Sequence, residues 1–300
     1  MEYHNPVLLE ESVRGLNIKP EGVYVDVTFG GGGHSREILK HLGPEGKLYA
    51  FDQDKDALEN KIDDSRFTLI NENFRFLKRF LRFYGIKKVD GILGDFGVSS
   101  HQFNKAERGF STRFDARLDM RMNQDSKLSA YEVINIYEEE QLKALFFEYA
   151  DLKNAPKLAR MIVEEREKRP IVSSEQLNDL LKPALFKGKE NKILAQIYQA
   201  IRIEVNQEIE ALKEFLLQTE DMLNAGGRLS LISYHSLEDR LVKRYIRSGL
   251  FEGEPEKDFY GNISVPFKKV EGLIIPTKKE ISENNRARSA KLRIAEKLYQ

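Results

Sequence analysis

Val23 to Phe29, VYVDVTF, alternates β-branched and aromatic residues with small or polar ones, the pattern of a buried strand. Past His34 the period changes. Ile38, Leu39 and Leu42 fall on one face and Arg36, Glu37 and Lys40 on the other, which predicts an amphipathic helix over about 35–42. The exchange recurs along the first third. KLYAFD (47–52), FTLIN (67–71) and VDGILGDF (89–96) read as strands, with helices near 55–61 and 75–84 between them. Strand–helix alternation of this kind predicts an α/β fold, a doubly wound and mostly parallel sheet with right-handed crossovers.

From about Asn104 to Arg202 the strand rhythm is lost, and helical patterns such as EEEQLKALFFEYA and NAPKLARMIVEEREK take over. This predicts one α/β domain, built from 1–104 and 203–300, interrupted by a helical insertion over 105–202 that serves substrate recognition. A continuous helical stretch, 191–224, leads back out of the insertion. GGRLSLISY (226–234) is then a buried strand, with a helix over 237–247. LIIPT and SAKLRIAEK supply one or two closing strands.

Composition narrows the chemistry. The 300 residues contain no cysteine, which excludes disulfides and thiolate metal sites and fits a reducing, cytoplasmic setting. No apolar run has membrane-spanning length, and MEYHNPVLLEES lacks the basic and apolar regions of a signal peptide. Lys+Arg and Asp+Glu are 48 each, so any nucleic-acid contact has to come from local patches. The five histidines show no metal-ligand spacing, and no metal is expected.

Gly30 to Gly33 lie where the first strand gives way to a helix. Glycine there permits positive φ and close approach to the backbone, and a helix start offers free N–H groups to an anion. Serine at position 35 breaks the Gly-x-Gly-x-x-Gly dinucleotide pattern, and the Gly-Lys-Ser/Thr of a phosphate loop is absent. Asp52 ends the second strand about where a ribose-binding acid stands in such folds, with Asp54 the better cap for the helix that follows. Phe74 is either a core staple or an aromatic wall beside a purine. Asp95 ends the fourth strand within GDFGVSSHQF, at the ligand-binding edge of a parallel sheet. The DFG there has no kinase partner motifs. After the fifth strand, SYHSLEDR places Ser233, Tyr234 and His235 at the same edge, with Ser236 and Asp239 spaced as a capping box. The run Arg75, Lys78, Arg79, Arg82, Lys87, Lys88 reads as a solvated helix face. NNRARSAKLR, with Arg286 and Arg288, reads as a phosphate-contacting loop.

With these pieces placed, the chain resembles the bacterial small-subunit (16S) ribosomal RNA cytosine-N4 methyltransferase family. The matching stretches are HNPVLL, VDVTFGGGGHS, FDQD, GILGDFGVSSHQ, ERGFS, LDMRM, QAIRIEVNQE, GGRLSLISYHSLEDRLVK and RARSAKLR, in order over nearly the full length. The resemblance implies S-adenosylmethionine as cofactor, with Gly32, Gly33, His34, Asp52, Phe74, Asp95 and Gln102 binding it. It implies a cytosine in the decoding region of 16S ribosomal RNA as target and the small ribosomal subunit as partner, and it leaves the oligomeric state open. The chain departs from the usual pattern at Phe96, Asn123, QIYQ and Asn285, none of them a cofactor position.

An N4 amino group conjugated to a pyrimidine ring is a poor nucleophile, so the reaction needs orientation and a proton acceptor. Asp95 and His235 are the candidate orienting groups, and Arg202, Arg240, Arg286 and Arg288 the candidate phosphate readers. Two other classes compete. A nicotinamide-dependent oxidoreductase is disfavoured by Ser35. A non-catalytic ribosome-assembly factor is disfavoured by the intact cofactor positions.

Overall fold

The computed structural model describes residues 6–299 except 256, 258, 261 and 262, and all but the side chain of Ser100. His4 and Asn5 of the HNPVLL stretch lie outside the described residues.

The chain forms two compact units, one from 1–97 with 209–300 and the other from 98–208. The first is built on a seven-stranded sheet. Its strands are β1 (Val23–Asp26), β2 (Lys47–Phe51), β3 (Phe67–Ile70), β4 (Val89–Asp95), β5 (Leu223–Ser233), β6 (Phe267–Lys269) and β7 (Lys291–Lys297), in the order β3-β2-β1-β4-β5-β7-β6. Strands β1 to β5 are parallel. β7 runs antiparallel to both β5 and β6. Val25 stands opposite Tyr49 and Ile92, and Asp95 opposite Ile232, so the ends of the central strands lie along one edge.

Both faces of the sheet are covered, as the unbroken apolar runs require. Helices α1 (Leu9–Gly15) and α2 (Gly33–His41) bury Val13, Leu16, Ile38 and Leu39 against one face. Helix α3 (Leu77–Phe83) buries Leu77 and Leu81 against the other. Each such side chain contributes roughly 1.5–3 kcal/mol relative to exposure.

The second unit is helical: α4 (Ser100–Asn104), α5 (Ala130–Ile136), α6 (Glu139–Ala150), α7 (Ala155–Arg166), α8 (Ser174–Leu181) and α9 (Glu190–Asn206). Its own core includes Phe146, Leu158, Ile162, Leu177, Ile197 and Ile201. The unit begins at 98 and not at 105, because Val98 and Phe103 pack on this core. It ends at 208 and not at 202, because α9 runs unbroken to Asn206. Three further helices belong to the first unit's return: α10 (Glu208–Met222), α11 (Ser236–Ser248) and α12 (Lys278–Glu283). α10 and α11 bury Phe215, Leu216, Val242 and Tyr245 on the α3 face of the sheet.

Several sequence expectations change. The stretch 191–224 is two helices, because Gln207 adopts a left-handed conformation (φ 50°, ψ 41°) that ends α9. Glycine or proline would have marked that break, and neither is present. The junction is tied by Arg202, whose Nε and Nη2 each donate to the Glu208 carboxylate at 2.8 Å. LIIPT contributes only a bridge between Ile274 and Leu292, and the edge strand is the short Phe267–Lys269. Residues 55–60 form a 3-10 helix, capped by Asp54 accepting from the Asp56 N–H. The N-cap of α11 is His235, and its box partner is Glu238, which accepts from the N–H groups of Tyr234 and His235. Asp239 instead receives Arg293 and Lys291. The basic run is engaged in part by α10: Arg75, in the 3-10 turn before α3, pairs with Glu214, and Lys78 on α3 with Asp221.

Arg202 and Glu208 are only 15% and 12% exposed, so removing one partner strands a largely desolvated charge. Arg202→Ala is expected to cost about 3 kcal/mol. Arg202→Met combined with Glu208→Leu should recover most of it. Urea unfolding of the two variants beside wild type checks this, and equal loss in the single and the double variant would contradict the clamp.

Candidate functional site

The glycine turn is explained residue by residue. Gly30 and Gly32 have φ of 52° and 75°, where side chains are strained. A Cβ on Gly33 would lie 2.1 Å from Pro6 Cγ, so this position is bare to admit the N-terminal segment. Gly32 is also the N-cap of α2 and has no side chain to cap it, so the first N–H groups of the helix remain available to an anion.

Behind the turn, β1 ends on Asp26, a carboxylate with no exposed surface. Its Oδ2 accepts from Ser35 Oγ at 2.6 Å and its Oδ1 from the Thr28 N–H at 3.1 Å. Thr28 Oγ1 in turn accepts from the Asp95 N–H at 2.6 Å. Burial raises the pKa of Asp26, against the lowering effect of His34 and the Ser35 and Thr28 hydrogen bonds. Ser35, which breaks the dinucleotide pattern, is therefore the partner that satisfies this acid.

Asp52 is at the mouth of the same edge. Its Oδ2 accepts from the Gly30 N–H at 2.8 Å and its Oδ1 from the Asp54 N–H at 2.9 Å. Desolvation outweighs these bonds and pushes the carboxyl up to about 6. Asn71 Nδ2 donates to the Asp52 carbonyl, and Asn73 Nδ2 to Gln53 Oε1, both at 2.8 Å, joining the loops after β2 and β3. Phe74 is half-buried in an aromatic trio, 5.6 Å from Phe96 and 5.5 Å from Phe215 between ring centres. It packs against the core as a staple.

Asp95 ends β4, and its Oδ1 accepts from Tyr234 Oη at 2.7 Å. Burial raises its pKa, opposed by His34 and Tyr234. Tyr234 is itself held well above the ordinary tyrosine range, by burial first and by Asp95 second, so it stays protonated and donates. Its ring lies against Gly97, where φ is 151° and a Cβ would come within 3.1 Å of the ring. His235 Nε2 is 3.1 Å from Glu238 Oε1, which turns the imidazole toward its own helix. His34 is buried with Nε2 3.2 Å from the Val7 carbonyl.

The remaining candidates are more scattered. Gln102 is buried in the second unit, where it forms a capping box with Ser99. Arg240 and Arg288 are exposed, Arg286 is half-buried, and Arg202 is in the ion pair already described. Three other matching stretches meet inside the second unit. Asn206 accepts from the Met122 N–H and donates to the Met120 carbonyl, and Arg108 donates to the carbonyls of Arg121 and Met122. They hold Met120, a buried residue at φ 59°, in a conformation that costs about 1–2 kcal/mol. Among the described residues no His, Asp or Glu cluster is arranged to hold a metal, and no helix is long and apolar enough to cross a membrane.

Asp26 and Thr28 were not singled out as site residues from sequence, and Tyr234 was placed at the edge without its partner. Asp26 carried a signal, an acid inside an apolar strand. The Tyr234–Asp95 pair, separated by 139 positions, carried none.

A sheet in this order, with antiparallel β7 inserted beside β5, a bare turn after β1 and an acid after β2, is here the fold of a methylase, as the family match shows. The profile of the MraW methylase family matches residues 1–298. Ribosomal RNA small subunit methyltransferase H of Christiangramia forsetii is 86% identical over 298 residues, 99% of each chain. The proteins of that name from Flavobacterium johnsoniae and Cytophaga hutchinsonii are 69% and 57% identical, covering 99% and 98% of this chain and 99% of each relative. The chain belongs to the MraW methylase family.

The folded pKa of Asp52 lies above the usual carboxylate value, so stability falls as pH rises between about 4 and 6. Asp52→Asn should therefore raise the urea midpoint at pH 7.5 and leave it nearly unchanged at pH 4. A gain of equal size at both pH values would show that Asp52 carries no such penalty.

Proposed function

We propose that this protein methylates the N4 amino group of a cytosine in the decoding region of 16S ribosomal RNA, with S-adenosylmethionine as donor. One observation supports the reading above others: Asp52, the bare turn with the open start of α2, and the Asp95–Tyr234 pair all stand along one sheet edge. The full-length likeness to ribosomal RNA small subunit methyltransferases gives that edge its substrate.

The residues present fit the cofactor. Asp52 keeps lone pairs for ribose hydroxyls beyond its two backbone bonds. The N–H groups at the start of α2 suit a carboxylate. Phe74 offers a ring to the adenine side. Gly32, Gly33 and His34 shape the turn, and Gln102 is carried as a cofactor residue by family likeness. S-adenosylmethionine supplies a methyl group activated by a positive sulfur.

The chain's own part is to bind and align. Tyr234 fixes one oxygen of Asp95, which leaves the other free to accept from a cytosine amino group. An accepted hydrogen bond orients the nitrogen lone pair and raises its nucleophilicity, and the carboxylate or water takes the proton that the methylated nitrogen loses. The raised pKa of Asp95 makes it a better acceptor. His235 serves as a wall of the site. The helical unit 98–208 serves substrate recognition. Arg240, Arg286 and Arg288 read phosphates, and Arg202 does so only if it leaves Glu208.

With 48 basic and 48 acidic residues, the protein suits a pre-organised ribonucleoprotein particle better than bare RNA. Transfer of labelled methyl to purified small-subunit particles should exceed transfer to protein-free 16S RNA at matched salt. Equal rates would reject the particle as substrate, and transfer to neither would reject the function.

Cofactor binding should follow Asp52. Asp52→Ala is expected to weaken S-adenosylmethionine by about tenfold to a hundredfold, for loss of charged hydrogen bonds. In the wild type, affinity should fall about tenfold from pH 7 to pH 5, as the carboxyl with pKa about 6 is protonated. Calorimetry at both pH values measures this. A flat profile would remove Asp52 from the cofactor site.

A further inference from the structure

Helix α11 carries a feature that the cofactor edge does not use. Arg240, Lys243, Arg244 and Arg247 follow i, i+3, i+4, i+7 and so form one basic stripe, while Val242, Tyr245 and Ile246 are buried on the opposite side. Beside the stripe, α11 and the edge strand β6 enclose a cavity of about 380 Å³, lined by Lys243, Ile246, Arg247, Phe267, Lys269 and Arg293.

The lining is chemically divided. Ile246 and Phe267 are apolar. Lys243, Arg247 and Lys269 are exposed, and their side chains have no ion-pair partner among the described residues. Arg293 is fixed in the wall by Asp239, which it reaches at 2.7 and 3.2 Å. Glu271 is the acid in the lining. Three free cations against one carboxylate is a local surplus in a protein whose net charge is zero.

The position is also informative. Arg293 pairs with Leu231, two residues before Ser233, where β5 ends at the functional edge. The cavity therefore begins roughly 7 Å from that edge along the strand.

We propose that this cavity holds the sugar-phosphate backbone of the substrate RNA beside the target base, with Lys243, Arg247 and Lys269 on its phosphates. The proposal rests on the rRNA-methyltransferase reading and adds a phosphate-binding groove to it. A ribose against Ile246 and Phe267 with phosphates at the rim matches the division of the lining, and such contacts fix register more than they read sequence.

The test measures binding apart from methyl transfer. Small-subunit particles carrying a fluorescent label and a fluorescent oligoribonucleotide of the decoding region are each titrated with wild type and with Lys243→Glu/Arg247→Glu, over a range of salt. Lys243→Ala and Lys269→Ala serve as milder variants if the reversal impairs folding. The double variant should lose at least tenfold in RNA affinity. Each lost contact should make the salt slope shallower by about 0.7. S-adenosylmethionine affinity should stay within twofold. Unchanged affinity and slope on both, or no binding of either by the wild type, would overturn the groove. So would wild-type binding to phosphatidylglycerol vesicles that the variant loses while its RNA affinity stays intact. If these residues govern RNA binding but the wild type transfers no methyl to ribosomal RNA, the groove stands and the proposed reaction falls.

Discussion

Asp26 is a carboxylate with no exposed surface in the middle of an apolar sheet, and much of the site follows from satisfying it. A buried acid without partners costs several kcal/mol, so the chain must bring donors to it. Ser35 does so from the first turn of α2, and Thr28 from the turn between. Thr28 also accepts from the Asp95 N–H, which ties the end of β4 to the end of β1. One buried group thus sets the place of the helix start and of the second acid. The bare turn lies between these anchors, with Gly33 cleared for Pro6 and Gly32 opening α2.

From that anchor the edge divides its tasks by environment. Asp52 sits half-buried on two backbone N–H groups, and desolvation raises its pKa. Asp95 receives a tyrosine that burial keeps protonated. Two acids on one edge are therefore tuned by different partners, and the proposed reaction sets Asp52 toward the cofactor and Asp95 toward the target base. The stability lost by keeping both desolvated is the kind that functional sites carry and that cores elsewhere offset. Here the offset comes from the two apolar faces around Val25, Phe51, Ile92 and Leu48, Ile38, Leu93.

Much of this was legible in the sequence, and the rest was not, for physical reasons. Strands β1 to β5 announced themselves because strands buried on both faces read as apolar runs. β6 did not, because its three residues include only one buried side chain. The break at Gln207 was hidden, because a left-handed residue that is neither Gly nor Asn leaves no local mark. Ser236 and Asp239 had capping-box spacing, yet the box formed one residue earlier, where Glu238 could be buried beside His235. The edge positions Asp52 and Asp95 were legible from strand ends alone. The partners of Asp95 and Asp26 were not, since Tyr234 reaches Asp95 and Ser35 reaches Asp26 only once the sheet order is known. Arg202 looked like a phosphate reader until its ion pair with Glu208 was seen.

The claim that matters most is the chemical one: that this edge places a methyl on the exocyclic nitrogen of a small-subunit cytosine. Nucleoside mass spectrometry of 16S RNA from cells lacking the protein tests it most directly, beside the same cells supplied with wild type or with Asp95→Asn. The account predicts that N4-methylated cytidine is lost in the deletion, restored by the wild type and restored poorly or not at all by the variant. Undiminished N4-methylated cytidine in the deletion would contradict it.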